Sequence, residues 1–173
     1  CDHNQTKQAT IAIADHEGPV YLRFGRPKWP VFITPETPFE IGKAQLLSEG
    51  SDVSIFACGH LVWKALQAAE ELEKQGIHAE VINVHTIKPL DEEAVLRSVR
   101  KTGCVVSCEE HQRNGGLGDS IAQLLARVHP TPMEFVAVND SFGESGTTDQ
   151  LLAKYGLDTP DVVAAVKRVL KRK

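Results

Sequence analysis

Between Val53 and Val138 the chain alternates short apolar runs with longer stretches whose apolar residues recur every three to four positions. The runs Val53–Ala57, Ala79–Val84, Cys104–Cys108 and Glu134–Val138 have the length of buried strands. After the first run, Leu61, Val62, Ala65, Leu66, Ala69 and Leu72 fall on one face of a helix from His60 to Gln75, which Gly76 ends. Asp91 is the expected N-cap of a second helix, with Glu92 and Glu93 in its first turn and Gly103 closing it. A third opens at Gly118-Asp119, carries Ile121, Leu124, Leu125 and Val128, and stops at Pro130. Two more helices follow, one from Thr148 to Tyr155 and one announced by Thr159-Pro160-Asp161, a capping hydroxyl, a proline and an acid. Strands alternating with helices in this way predict βαβ units. The expected fold is a three-layer α/β/α sandwich with a mostly parallel sheet.

Residues 1–35 have a different texture. Thr6 to Ala14 supports a short helix, Val20–Phe24 reads as a strand, and the prolines at 27, 30, 35 and 38 mark a linker or crossing loop. One helix and one strand bury too little surface to stand alone. This segment therefore reads as the end of one domain, followed from residue 36 to 173 by the α/β domain, with Ile41–Leu47 as a possible edge strand. The start at Cys1, without a secretory leader pattern, fits a piece of a longer protein.

Charge excludes some functions. Acidic residues outnumber basic ones 23 to 19, and five of the basic ones sit in the last seven positions, where they complement a helix C-terminus. The remainder is distinctly anionic, against a nucleic-acid-binding role. No apolar run approaches the roughly 20 residues of a membrane span. Of the four cysteines, Cys104 and Cys108 point to one face of their strand but lie about 13 Å apart, too far to pair. All four are expected as free thiols, in a reducing, cytoplasmic setting. Only Cys104, Cys108 and His111 cluster, short of the four ligands of a zinc site, so no metal is expected in this chain.

Four places merit a chemical reading, since ligands of open α/β sheets bind beyond the carboxyl ends of the strands. Gly116-x-Gly118 opening a helix, with Asp140 after the next strand, is half of a dinucleotide fingerprint. Ala122 replaces its third glycine, and Asp119 places a carboxylate where a phosphate would sit, so the glycines read rather as permitting tight turns and close packing. Glu109, Glu110 and His111 are an acid–base group able to move protons, or equally exposed loop charges that meet a partner. The stretch Asp140–Gly146 holds Ser141 and Ser145 but lacks a Gly-x-Ser-x-Gly elbow. Arg23 and Arg26, on and after the N-terminal strand, have the planar fork that suits phosphate.

Taken in order, GPVYLRFGRP (18–27), TIKPLD (86–91), EEH (109–111) with GGLG (115–118), and DSFGESG (140–146) followed by Leu151-Leu152 and Tyr155-Gly156-Leu157 resemble the transketolase family. The first stretch is similar to the end of its pyrimidine-binding domain and the others to its C-terminal domain. The resemblance implies transfer of two-carbon ketol units between sugar phosphates in carbohydrate metabolism such as the pentose phosphate pathway, with thiamine diphosphate and Mg2+ (or Ca2+). The family holds diphosphate and metal through a Gly-Asp-Gly motif with a later Asn, and activates the cofactor with a glutamate early in the pyrimidine domain. No Gly-Asp-Gly occurs here. The resemblance thus implies no catalytic or cofactor-binding residue in this chain, which is then not competent alone. Its partners are the diphosphate-binding and pyrimidine-binding regions, in the same or a separate chain, within a homodimer. The family's sugar-phosphate arginine corresponds to Arg26, where many members have Ser-Arg and this chain has Gly25-Arg26. Other readings remain: the equivalent domain of a deoxyxylulose-phosphate synthase or a 2-oxo acid dehydrogenase beta subunit, or a stand-alone nucleotide-binding or regulatory module built around Gly116–Gly118.

Overall fold

A computed structural model describes residues 1–173. In chain order they form α1 (His3–Ala14), β1 (Gln45–Ser48), β2 (Val53–Ala57), α2 (Leu61–Glu73), β3 (Ala79–Asn83), α3 (Glu92–Thr102), β4 (Val105–Gln112), α4 (Leu117–Val128), β5 (Met133–Val138), α5 (Thr148–Lys154) and α6 (Thr159–Leu170). The strands make one sheet in the order β1-β3-β2-β4-β5. β3, β2, β4 and β5 run parallel, and only the edge strand β1 is antiparallel. The three-layer, mostly parallel fold expected from the alternating pattern is the one observed.

Every residue of β2 and β3 is buried, as in a sheet covered by helices on both sides. Strand parity sorts the core. Val53, Ile55, Ala57, Val106 and Cys108 face α2 and α6, whereas Phe56, Ile82 and Val105 face α3 and α4. The buried Ser54 hydroxyl lies 2.6 Å from both Ser98 Oγ and Thr102 Oγ1, so its polarity is satisfied while it pins α3 to β2. Asp91 caps α3 by accepting from the Ala94 amide and also accepts from the Ala44 amide, tying the start of β1 to that helix.

Several boundaries differ from expectation, each for a local reason. α1 starts at His3, because Asp2 caps it at Gln5. The second Asp2 oxygen accepts from the Phe32 and Ile33 amides, so one buried carboxylate fastens the helix to the irregular segment that follows it. β1 is confined to Gln45–Ser48 and its register with β3 slips between Leu46 and Ser48. At α6 the cap is Asp158 rather than Thr159, in a reciprocal capping box with Asp161. The strand expected at Val20–Phe24 is not formed: the segment has strand-like composition but no neighbouring strand with which to exchange hydrogen bonds. β4 extends past Cys108 to Gln112, which places Glu109, Glu110 and His111 on a strand instead of in a loop.

Candidate active-site cleft

The carboxyl ends of β2 and β3 lead into Cys58-Gly59-His60 and Val84-His85-Thr86, and β4 itself ends on Glu110-His111-Gln112; these line a cleft of about 1460 Å³. Its opposite wall is α1 and the irregular segment 19–29, which includes Arg23 and Arg26. The position agrees with the rule for parallel sheets, whose ligands sit beyond the strand ends.

Parity along β4 separates the two neighbouring carboxylates. Glu109 continues the face of Val105 and Ser107, toward α4; Glu110 continues that of Val106 and Cys108, toward α2. Glu109 is fully buried, and its two oxygens accept the Leu117 amide at 2.8 Å and the Gly118 amide at 2.9 Å. It is the cap of α4, whose own N-cap residue, Gly116, has no side chain to offer. Burial pushes its carboxyl above the usual range, only partly offset by the two amides. Glu110 is bound differently: Oε2 lies 2.8 Å from His60 Nδ1 and Oε1 2.8 Å from Arg23 Nη2. Burial also pushes this carboxyl up, but His60 and Arg23 outweigh it and hold it below the usual range. His111 stands with Nδ1 3.4 Å from Glu109 Oε2, and its buried Nε2 has no partner. The three residues, open in sequence between an acid–base group and loop charges, fall into two separate sets, Glu109 with His111 and the α4 amides, and Glu110 with His60 and Arg23.

The same geometry removes the nucleotide reading. At the start of α4, where a phosphate would receive amide hydrogen bonds, the Glu109 carboxylate already takes them. A Cβ on Gly116 would lie 2.0 Å from Glu109 Oε2, and one on Gly118 2.5 Å from Phe135 Cδ1. The glycines are there for close packing. Asp119 turns back onto the Gly115 amide at 2.6 Å. Ser141 and Ser145 are exposed in the loop after β5 and pair with neither a histidine nor an acid; Ser141 contributes only its carbonyl, to Gln112.

Arg23 and Arg26, close in sequence, have different surroundings. Arg23 is neutralised by Glu110, whereas Arg26 is exposed at the cleft and has no carboxylate partner. His60 and His85 were not singled out from sequence. His60 stacks on Trp29 with ring centroids 4.4 Å apart. His85 stacks on Phe39 at 4.3 Å, bonds Thr86 through Nδ1 and leaves a buried Nε2 unpartnered; burial lowers its pKa to about 4. Both stand just beyond a strand's carboxyl end, and that position was the available signal. These residues do not fit a diphosphate with its metal. No three side chains of metal-binding type converge, and the cleft-facing α4 terminus is filled by a carboxylate.

Fold and cleft together define an α/β domain whose strand ends face an arginine-bearing segment. The family model described as the transketolase C-terminal domain matches residues 42–162, and the chain belongs to that family. It is 49% identical over 172 residues to a 6-deoxy-6-sulfo-D-fructose transketolase subunit of Clostridium sp. (strain MSTE9), a match covering 99% of this chain and 53% of that protein. An apulose-4-phosphate transketolase subunit of Phocaeicola vulgatus is 34% identical, with 99% and 55% covered. A 1-deoxy-D-xylulose-5-phosphate synthase of Geobacter sulfurreducens is 36% identical, with 99% and 28% covered. Among solved structures, a split-gene transketolase described as an inactive beta4 tetramer superposes with a TM-score of 0.96 at 46% identity, covering 99% of this chain and 56% of the other. The chain thus spans about half the length of the transketolase subunits it matches. No helix is long and apolar enough to cross a membrane.

Proposed function

We propose that this chain is the C-terminal part of a thiamine-diphosphate-dependent transketolase, in which it contributes subunit contacts and holds the phosphate of the sugar substrate through Arg26. On this reading residues 1–35 are the tail of the pyrimidine-binding domain and 36–173 the C-terminal domain. Thiamine diphosphate and Mg2+ (or Ca2+) belong to the diphosphate-binding and pyrimidine-binding regions, carried by the same or a separate chain, and the working enzyme is a homodimer or a dimer of paired chains in the cytoplasm. The extended run Val20–Phe24, with Tyr21 87% and Phe24 65% exposed, supports an origin in a sheet completed by those regions.

The observation that carries the proposal is the contrast between the arginines. Arg23 is charge-paired, whereas Arg26 keeps a free guanidinium at the cleft, available for a two-pronged contact with phosphate. A phosphate remote from the carbon–carbon bond being cleaved is held equally in ground and transition states. Loss of that contact raises KM more than it lowers kcat. One charged hydrogen bond contributes about 1.5–3 kcal/mol, so Arg26→Ala should cost roughly ten- to a hundred-fold in kcat/KM for phosphorylated sugars. An unphosphorylated acceptor should be little affected. Steady-state kinetics of the complete enzyme with both acceptor types tests this, and equal losses for the two would show that Arg26 is structural.

A further inference from the structure

Residues 17–31 make no backbone–backbone hydrogen bond at all, and their one hydrogen bond of any kind is Arg23 to Glu110. A stretch of chain without a ladder or helix is held by its side chains or not at all. Around Arg26 three such attachments lead to the same two residues, with Trp29 also packed against the core and its ring under Lys64 at 5.8 Å. Three positions before it, Arg23 pairs with Glu110 at 2.8 Å. Immediately before it, Gly25 lies so close to His60 that a Cβ would sit 2.2 Å from Cε1 and 2.3 Å from Nε2. Three positions after it, Trp29 stacks on the His60 ring. His60 and Glu110 are in turn bonded to each other at 2.8 Å, and each is fixed by a rigid element: His60 precedes the first turn of α2, and Glu110 belongs to β4. Their side chains are 11% and 16% exposed, so both are locked by packing.

We infer that Glu110 and His60 are positioning residues for Arg26, forming a seat of Arg23, Gly25 and Trp29 contacts that sets where its guanidinium stands in the cleft. The inference rests on the proposed role of Arg26 as the phosphate-holding residue. It also explains Gly25 in place of a serine: any side chain there would displace the His60 ring. Because Glu110 uses both oxygens, one toward His60 and one toward Arg23, removing either partner leaves the segment attached at fewer points while the sheet itself is untouched. The consequence for substrate is indirect and selective. A misplaced guanidinium weakens phosphate binding without altering the reacting carbons.

The test uses the complete enzyme carrying Glu110→Gln, Arg23→Ala or Arg23→Lys, alone and combined with Arg26→Ala. The Arg23 side chain is 40% exposed, so its variants do not endanger folding. Expected is a rise of about three- to thirty-fold in KM for a phosphorylated acceptor in Glu110→Gln and Arg23→Ala, with kcat nearly unchanged. Arg23→Lys should recover part of the loss, and an unphosphorylated acceptor should show none. In the Arg26→Ala background neither change should add to the loss, because the group being positioned is gone. Selective loss in Arg26→Ala with none in Glu110→Gln and Arg23→Ala, or with losses that add independently, overturns the positioning role and leaves the proposed function standing. A non-selective loss in Arg26→Ala overturns the function and the positioning role with it.

Discussion

Replacing Glu109 by alanine tests whether α4 is held by a carboxylate from the neighbouring strand. The side chain is fully buried and satisfies two amides, those of Leu117 and Gly118, that have no other partner. Each buried donor left unpaired costs about 1–3 kcal/mol, so the pair amounts to about 2–6 kcal/mol. Removing a carboxylate that is itself penalised by burial offsets part of this, which places the expected loss at about 2–4 kcal/mol. Glu109→Gln retains one acceptor oxygen and should lose roughly half as much. Urea unfolding gives the total, and amide exchange at Leu117 and Gly118 shows whether the loss is local to the helix start. A pH series adds a sign. Because burial raises the Glu109 pKa in the folded protein, its contribution is fully present below the ordinary glutamate pKa of about 4.3 and shrinks as pH rises through the folded value. The advantage of wild type over Glu109→Gln should therefore narrow with rising pH. A loss under about 1 kcal/mol for Glu109→Ala, with the two amides still protected, would refute the capping role.

Gly118→Ala gains helix propensity of about 1 kcal/mol but drives a methyl to 2.5 Å from Phe135 Cδ1 and 2.8 Å from Ser107 Oγ, so the net result should be destabilisation of about 1–2 kcal/mol by thermal unfolding. Asp91→Ala should cost about 1–2 kcal/mol through loss of the α3 cap and of the Ala44 amide bond. Its carboxyl is held low, since these amides and nearby Lys43 outweigh burial; the stabilisation is therefore present above the ordinary aspartate pKa and is lost as pH falls through the lower folded value, which acid titration of wild type against variant will follow. Thiol titration should find Cys58, Cys104 and Cys108 inert in the native protein, burial holding Cys58 up at about 12, and all four thiols reactive after denaturation without reductant; a count of two would establish a disulfide.

The layers of the fold were legible because apolar periodicity is local: the runs at Val53 and Ala79 and the helical face from Leu61 to Leu72 each declare themselves within a dozen residues. Val20–Phe24 shows the limit of that signal. Its composition is that of a strand, but a strand exists only where another strand pairs with it, and none lies beside it here. The site was less legible for a related reason. Glu-Glu-His-Gln does not look like a strand, so the apolar run at Cys104–Cys108 suggested a loop after Cys108, whereas β4 continues to Gln112.

With the strand extended by those four residues, alternation alone sends Glu109 to the α4 side and Glu110 to the α2 side, and the apparent acid–base cluster divides without any knowledge of distances. Parity then points Glu110 toward the first residue before α2, which is His60. What parity cannot supply is the third member. Arg23 lies 87 residues away from Glu110 in a segment with no regular structure, and two arginines three positions apart look alike in sequence. Only the folded chain distinguishes them, by pairing Arg23 with Glu110 and leaving Arg26 at the cleft without a carboxylate partner.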